Sequence, residues 1–284
     1  MKKNIIILTG IIAALLTGCT EKIDVDLDET YDRLVVEGYI TNEPGRHQVE
    51  LSRSTDFFDP GQAGRISGAR VILDDGVNPA DTLQEHPEKQ GIYQTAEHYL
   101  GVPGREYHLK IELPEPIHET STYEASCVMP PERTLDSIRV YYLDSWEAWE
   151  VWSYAIDPPT KDYYMFDLYK NDTLVTDTIT EPFVIEDRLF NGQSTNGAAI
   201  GYYQEEYPDE IVRIGDTLKA RLARITREHY NFMMDVSQQS GYQNPLFSGP
   251  PANIRGNISD GGIGFFGAFT VDYASVVYQG EEAN

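Results

Sequence analysis

Apolar and polar residues alternate along several short stretches in the first half of the chain. In Glu106–Leu113 (EYHLKIEL) every second side chain is apolar, which is the pattern of a strand with one buried face. Clusters of Pro, Gly, Asn and Asp separate such stretches and predict turns between them. Short strands at this spacing predict an antiparallel sandwich, Ig-like or transthyretin-like, over residues 31–130. Its predicted strands are Arg33–Thr41, His47–Ser52, Ala69–Asp74, Gly91–Thr95, Glu106–Leu113 and Thr122–Val128.

The second half, residues 131–284, is less regular and predicts a second β-rich domain with one helix, so the whole chain is expected to be mainly β. The helix is predicted near residues 227–239, with Thr226 as its N-cap and Gly241 as its end. One face of this helix is expected to carry Tyr230, Met233, Met234 and Ser237. The block begins at Leu135–Ile138, and its predicted strands are Tyr163–Tyr169, Thr173–Ile179, Phe183–Ile185, Thr217–Ile225 and Phe265–Tyr278.

Residues 1–18 have the organisation of a bacterial signal peptide. Two lysines precede the apolar run Ile5–Leu16, which is too short to span a bilayer. Leu16-Thr17-Gly18-Cys19 resembles the lipobox, where a signal peptidase cleaves and the cysteine thiol receives diacylglycerol. We therefore expect Cys19 to be the lipidated first residue of the mature chain, followed by an acidic tether over residues 19–30. Such a protein is anchored to a membrane rather than threaded through it.

The charge balance narrows the set of partners. The chain has 46 acidic and 22 basic residues and a formal net charge of −24, so nucleic acid and bare anionic lipid are poor partners. There are two cysteines. If Cys19 is acylated, Cys127 has no cysteine to pair with, and we expect it to be a small buried residue at a strand end.

All three tryptophans, Trp146, Trp149 and Trp152, lie within seven residues. On a strand, Trp149 would face the opposite way from the other two, so one tryptophan is expected to lie in the core. If Asp144 capped a short helix instead, all three would share one face. The segment is therefore a candidate either for core packing or for contact with a partner or ligand. Long loops often carry function, and we expect the Pro-rich loop Asn244–Pro251 to belong to the same binding face.

The chain contains no assembled catalytic motif. The run Gly262–Gly267 matches G-x-G-x-x-G, but a strand rather than a helix is predicted after it. We therefore expect a bulge or a close approach between backbones there instead of nucleotide binding. The run Asp24-x-Asp26-x-Asp28 lacks the glycine and the closing glutamate of a calcium loop. No pair of histidines has zinc-ligand spacing. We assign no catalytic residue and no metal ligand, and a calcium ion elsewhere stays possible without named ligands.

These features together resemble a family of Bacteroidetes lipoproteins that carries the designation domain of unknown function 4249. The acidic tether is also similar to the export signal of lipoproteins in that group, although a solvated tether would be acidic as well. The matching motifs cover nearly all of the mature chain in order. They are Cys19, Leu34–Gly38, Ile40–Asn42, Gly91–Tyr93, the Pro103-Gly104 turn with Tyr107 and Leu109, Leu135–Ile138, Asp157–Pro159 with Asp162–Tyr164, Asn244-Pro245, Asn253-Ile254 and Gly262–Gly267.

The resemblance implies a location and a role. Family members are often encoded beside TonB-dependent outer-membrane transporters, which implies an outer-membrane lipoprotein on the cell exterior that serves nutrient uptake. The leading hypothesis is therefore a non-catalytic binding or accessory subunit of a TonB-dependent transporter. An adhesive or structural surface protein is the second hypothesis, and a polymer hydrolase is the third.

Overall fold

The computed structural model describes residues 32–54, 64–187, 192–240 and 254–280. Sixteen strands and one helix, α1, lie in these ranges. They are β1 (Leu34–Thr41), β2 (Gln48–Arg53), β3 (Arg70–Asp74), β4 (Asp81–Thr82), β5 (Gln84–Glu85), β6 (Ile92–Gln94), β7 (Glu106–Ile117), β8 (Thr120–Val128), β9 (Ser137–Leu143), β10 (Ala148–Tyr154), β11 (Tyr163–Lys170), β12 (Thr173–Leu174), β13 (Phe183–Glu186), β14 (Ala198–Gln204), β15 (Thr217–Ile225), α1 (Arg227–Ser240) and β16 (Ile263–Val277).

The first half forms the predicted sandwich. Strands β4-β3-β7-β8 make one antiparallel sheet, and β1-β2-β6-β5 form part of a longer sheet whose side chains share the same core. The alternation predicted from the sequence is confirmed in β7, where Tyr107, Leu109 and Ile111 are buried and His108 is exposed. The described fold is therefore mainly β, as predicted, and its strand pairs are antiparallel apart from the parallel pair of β1 and β16.

Strand β16 links the two halves. Its first part pairs with β1 in parallel, from Val35 opposite Ile263 to Thr41 opposite Phe269. Its second part pairs with β15 in the antiparallel sense. The described residues consequently fall in one compact unit, in which a single sheet runs β12-β11-β15-β16-β1-β2-β6-β5. This sheet runs through both halves of the chain. The division into two domains at residue 130 stays a prediction.

The second half is built on both faces of strands β11, β15 and β16. One face packs against the three-stranded sheet β14-β10-β9 around a core that includes Phe166, Leu218 and Leu222. The other face is covered by α1, with Met165, Ala223 and other side chains between them. Because successive strand residues point to opposite sides, β11 contributes to both cores.

Helix α1 begins as predicted. The Thr226 hydroxyl accepts a hydrogen bond from the His229 backbone N–H at 3.2 Å, which is N-cap geometry. The predicted inward face was wrong by part of a turn, because Met234 is half-buried and Ser237 is exposed. The side chains that the helix buries against the sheet are His229, Phe232, Met233 and Val236, which follow the spacing i, i+3, i+4, i+7 of one helix face. Gly241 lies outside the described residues.

Other predictions about strands were partly wrong. The strand predicted over Thr173–Ile179 ends at Leu174, because the Glu181 carboxylate accepts the Thr178 N–H and closes a turn. Strand β14 was missed, since AAIGYYQ shows no apolar alternation and contains a glycine. Strands β4 and β5 were missed because each has only two residues.

Candidate functional site

The structure decides between the strand and helix interpretations of the tryptophan segment. Trp146 lies in the turn between β9 and β10, and its side chain is 65% exposed. Trp149 and Trp152 lie on β10 and point to opposite faces of the sheet β14-β10-β9. The alternative of a helix with all three side chains on one face is therefore wrong.

Trp149 is a core residue. It is 6% exposed, its ring centroid lies 5.0 Å from that of Tyr142, and its indole N–H donates to the Tyr278 hydroxyl at 3.3 Å. The strand interpretation predicted that one tryptophan lies in the core without saying which, and the structure shows that it is Trp149. Trp149 therefore packs in the core beneath the sheet, and only Trp146 and Trp152 are accessible for contact at the surface.

The outer side of this sheet carries a cluster that we name the aromatic face, made of Tyr141, Trp146, Glu150, Trp152 and Tyr202. Its central residue is Glu150, which lies opposite Tyr141 on β9 and Tyr202 on β14 in the strand register. The Trp152 indole N–H donates to Glu150 Oε2 at 2.6 Å, and the Tyr202 hydroxyl donates to Glu150 Oε1 at 2.9 Å. Both oxygens of one carboxylate therefore hold aromatic side chains in place.

Ring contacts fix the remaining members of the aromatic face. Trp146 packs on Tyr202 with ring centroids 5.4 Å apart, and Tyr141 meets Trp152 edge-on at 6.2 Å. Burial and the hydrogen bond to Glu150 raise the pKa of Tyr202, so its hydroxyl stays a donor at neutral pH. The rings are thus oriented before any ligand arrives, which lowers the entropy lost on binding.

This arrangement is suited to contact rather than to bond-making chemistry. Exposed Trp and Tyr rings offer large apolar surfaces with polar edges, and such residues dominate the energetics of protein interfaces. Sequence reasoning found Trp146 and Trp152 but missed Tyr141, Glu150 and Tyr202. These three come from separate strands, and only the cross-strand register brings them together.

A groove of about 800 Å³ lies on the other side of the β11-β15-β16 sheet, beside α1. Phe232, Met233 and Phe265 line its apolar part. Its floor contains the ion pair Asp167–Arg221, in which Arg221 Nη2 lies 2.9 Å from Asp167 Oδ2. Burial raises the pKa of Asp167 although Arg221 opposes this shift. A groove of this volume is in the range of small-molecule sites.

The remaining sequence motifs have structural roles. Gly264, with φ +97°, lies against the backbone of Val36, which confirms the predicted close backbone approach at that glycine. Gly267 lies instead against the ring of His229, a side-chain contact. Cys127 is buried near the end of β8, as predicted, and burial raises the pKa of its thiol to about 11. At neutral pH the thiol is therefore protonated, and Cys127 is not a reactive nucleophile.

Several expectations fall on residues outside the described ranges. These expectations stay predictions, and they concern the signal peptide 1–18, Cys19, the acidic tether 19–30 and the loop Asn244–Pro251. Among the helices of the described chain, none is long and apolar enough to cross a membrane. In the same residues, no group of three or more His, Cys, Asp or Glu side chains is arranged to hold a metal ion.

Over the residues that the structure describes, the topology thus defines a mainly β protein with one helix and an ordered aromatic cluster on an outer sheet. A family model described as Domain of unknown function (DUF4249) matches residues 20–274. The chain belongs to this family, which confirms the family resemblance drawn from the sequence motifs. Among curated proteins, none matches the chain.

Two solved structures show weak likeness to the chain. A DUF4785 family protein from Legionella pneumophila is 13% identical with a TM-score of 0.23, over 66% of this chain and 52% of that one. The FN1–FN3 domains of chicken CNTN1 are 10% identical with a TM-score of 0.27, over 68% of this chain and 60% of that one. The chain spans between half and two thirds of the length of these structures. TM-scores this low support no conclusion about the fold, which is therefore described from the sheet topology alone.

Proposed function

We propose that the protein is a lipid-anchored, outer-membrane protein on the cell exterior that acts as a non-catalytic binding subunit of a TonB-dependent uptake system. The lipobox at Cys19 and the family resemblance support the location and the partner. The aromatic face carries the binding role. It presents Trp146 and its neighbours to solvent on a rigid sheet, oriented by Glu150.

The aromatic face fits a partner or ligand with an apolar or sugar-like surface. Trp146 is the most exposed large aromatic ring of the face, and Tyr141 is 42% exposed. Exposed aromatic side chains of this density on a soluble surface mark interaction sites. The charge of the whole chain, −24, disfavours an anionic partner.

Replacing both outer tryptophans tests this role. We expect Trp146→Ala with Trp152→Ala to weaken capture of the partner at least tenfold, because removing two interface aromatic residues costs about 2 kcal/mol or more. Folding should be retained, because neither side chain belongs to a buried core. The measurement is an affinity purification of the C-terminally tagged full-length protein from solubilised outer membrane, followed by mass spectrometry and quantitation of what co-purifies.

A matched control is Tyr207→Ala, since Tyr207 is 45% exposed and lies outside the aromatic face. This variant should capture the partner as the wild type does. A barrel transporter present in stoichiometric amount with wild type and control, and depleted with the double variant, supports the proposal. Wild-type protein that carries no barrel contradicts it, and binding to glycans or host proteins instead would favour the adhesive alternative.

A further inference from the structure

Acidic side chains lie beside the exposed Trp146 at one end of the aromatic face. Asp144 and Glu147 belong to the same turn between β9 and β10, and both are exposed. The exposed Glu205 follows β14, and its backbone N–H donates to the Glu147 carbonyl at 3.0 Å. We name Asp144, Glu147 and Glu205 the acidic rim.

The three carboxylates of the acidic rim act on one neighbouring side chain, that of Tyr142 on β9. Its hydroxyl donates to Glu205 Oε1 at 3.1 Å. Burial raises the pKa of Tyr142, and the hydrogen bond to Glu205 together with the charges of Glu205, Asp144 and Glu147 raises it further. The acidic rim is therefore a local concentration of negative charge.

Basic side chains do not neutralise this charge. Residues 140–160 and 189–212, which include β10, β14 and the turns at their ends, each contain four acidic residues and no lysine or arginine. Arg139 lies opposite Trp152 in the register, and its guanidinium is 5.2 Å from the ring centre of Tyr154, towards the other end of the sheet. Among the ion pairs of the described chain, none includes a residue of the acidic rim.

Trp146 adds a surface that is suited to a cation. Its ring packs on Tyr202 with centroids 5.4 Å apart, but the side chain is 65% exposed, so part of the indole stays open to a partner. The face of an indole ring attracts cations more strongly than that of any other side chain. A guanidinium group stacks flat on such a ring and keeps its N–H groups free to bind carboxylates at the edge.

The spacing of the carboxylates favours a charged surface over a metal ion. In the part of the chain that the structure describes, no three acidic or other ligating side chains are grouped to hold one metal ion. A calcium ion needs six to eight oxygen ligands at short distance. Carboxylates that are spread around an exposed ring are instead complementary to positive charges spread over the surface of a partner.

We propose that the aromatic face and the acidic rim dock a basic protein surface, with an arginine of the partner stacked on Trp146 and paired with the carboxylates of the rim. This inference rests on the function proposed for the aromatic face and narrows the occupant to a protein that presents arginine. The negative charge of the rim attracts such a partner, and Trp146 selects arginine over lysine.

The test uses fluorescently labelled oligoarginine and oligolysine peptides of equal length. Their binding to the full-length protein in neutral detergent is measured by fluorescence anisotropy at about 150 mM NaCl, where only close charges interact strongly. We expect the wild type to bind oligoarginine at least threefold more tightly than oligolysine. Trp146→Ala should remove this preference, because the stacking surface is lost.

A variant that neutralises the acidic rim tests the charges. We expect Asp144→Asn with Glu147→Gln and Glu205→Gln to weaken oligoarginine binding about tenfold, because three exposed charge contacts are lost. The matched control removes three exposed acidic charges from the first half of the chain and should lose less than twofold. Its substitutions are Glu88→Gln, Glu115→Gln and Glu119→Gln.

Three results with the peptides would overturn the inference. They are no binding of oligoarginine by the wild type, an equal loss of binding in the rim variant and its control, and an arginine preference that survives Trp146→Ala.

Affinity purification of the rim variant from solubilised outer membrane separates this inference from the proposed function. A barrel transporter that is depleted with the rim variant, but retained with its control, supports both. A barrel captured equally by the wild type and the rim variant overturns the inference and leaves the proposed function standing. If the wild type captures no barrel, the proposed function is contradicted, and the peptide measurements alone decide the inference.

Discussion

Gly264 lies where two backbones come close together in the parallel pairing of β1 and β16. It lies opposite Val36 in the register and has φ +97°, a region that side chains with a Cβ rarely adopt. A Cβ at this position would overlap the carbonyl oxygen of Val36. The residue is therefore required twice, for its backbone conformation and for the space it leaves.

We expect Gly264→Ala to destabilise the protein by more than about 3 kcal/mol, since backbone strain and a steric overlap add together. Gly76→Ala is the matched control, because Gly76 also has positive φ, +69°, but open space around it. That control should cost only about 1–2 kcal/mol. Urea unfolding of the two variants measures both values, and equal losses would contradict the role of the close approach.

At the scale of the element, α1 is held to the sheet through a buried histidine. The His229 ring stacks on Phe265 with centroids 4.7 Å apart, and its Nδ1 atom is buried without a hydrogen-bond partner in the described structure. Burial lowers the pKa of His229 to about 4. The helix is therefore packed against the sheet with this side chain neutral.

This lowered pKa makes the stability sensitive to acid. Between pH 6.5 and 4 the unfolded chain binds a proton at His229 that the folded chain does not, so the contribution of His229 is present above pH 6.5 and is lost as pH falls. We expect the wild type to lose about 2 kcal/mol more than His229→Leu between pH 7 and pH 4.5, measured by urea unfolding.

The control for this measurement is His98→Leu, which changes an exposed histidine and should keep the pH dependence of the wild type. The raised pKa of Asp157 has the opposite effect, since it favours the folded protein as the pH falls through an overlapping pH range. The free energies of unfolding of the wild type and the variants are therefore compared at the same pH. Parallel pH curves for the wild type and His229→Leu would contradict the assignment.

Local patterns in the sequence predict most of the strands and the helix, because alternation, turn residues and the Thr226 cap act over a few residues. Such local patterns do not predict that β1 pairs with β16, because the paired residues are more than 200 positions apart in the sequence, for example Val35 and Ile263. The candidate site shows the same limit. Trp146 and Trp152 were found as a local cluster, whereas Glu150 became their common anchor only through the register of three strands.

At the scale of the whole molecule, β16 completes the core of the first half. Phe266 and Ala268 of β16, together with Ile258 just before this strand, belong to the same buried cluster as the side chains of the sandwich. An isolated fragment covering residues 31–130 would therefore lack part of its core and leave the edge of β1 unpaired.

We expect this fragment to show no cooperative unfolding transition by circular dichroism. A synthetic peptide of residues 254–272 should bind it and restore the transition by adding a strand beside β1. The same peptide with Phe266→Asp is the control and should not restore it, because the aspartate would be buried in the sandwich. A fragment that unfolds cooperatively by itself would show that residues 31–130 form an independent domain.

The position of β16 also sets the order of events when the chain is made. Synthesis proceeds from the N-terminus, so β1 exists long before the segment Ile263–Phe269 that pairs with it. Pairings between such distant residues form slowly, and this one has to wait for nearly the entire polypeptide. We therefore expect the first half to stay incompletely folded while the chain is growing, a state compatible with the export that the proposed outer-membrane location requires.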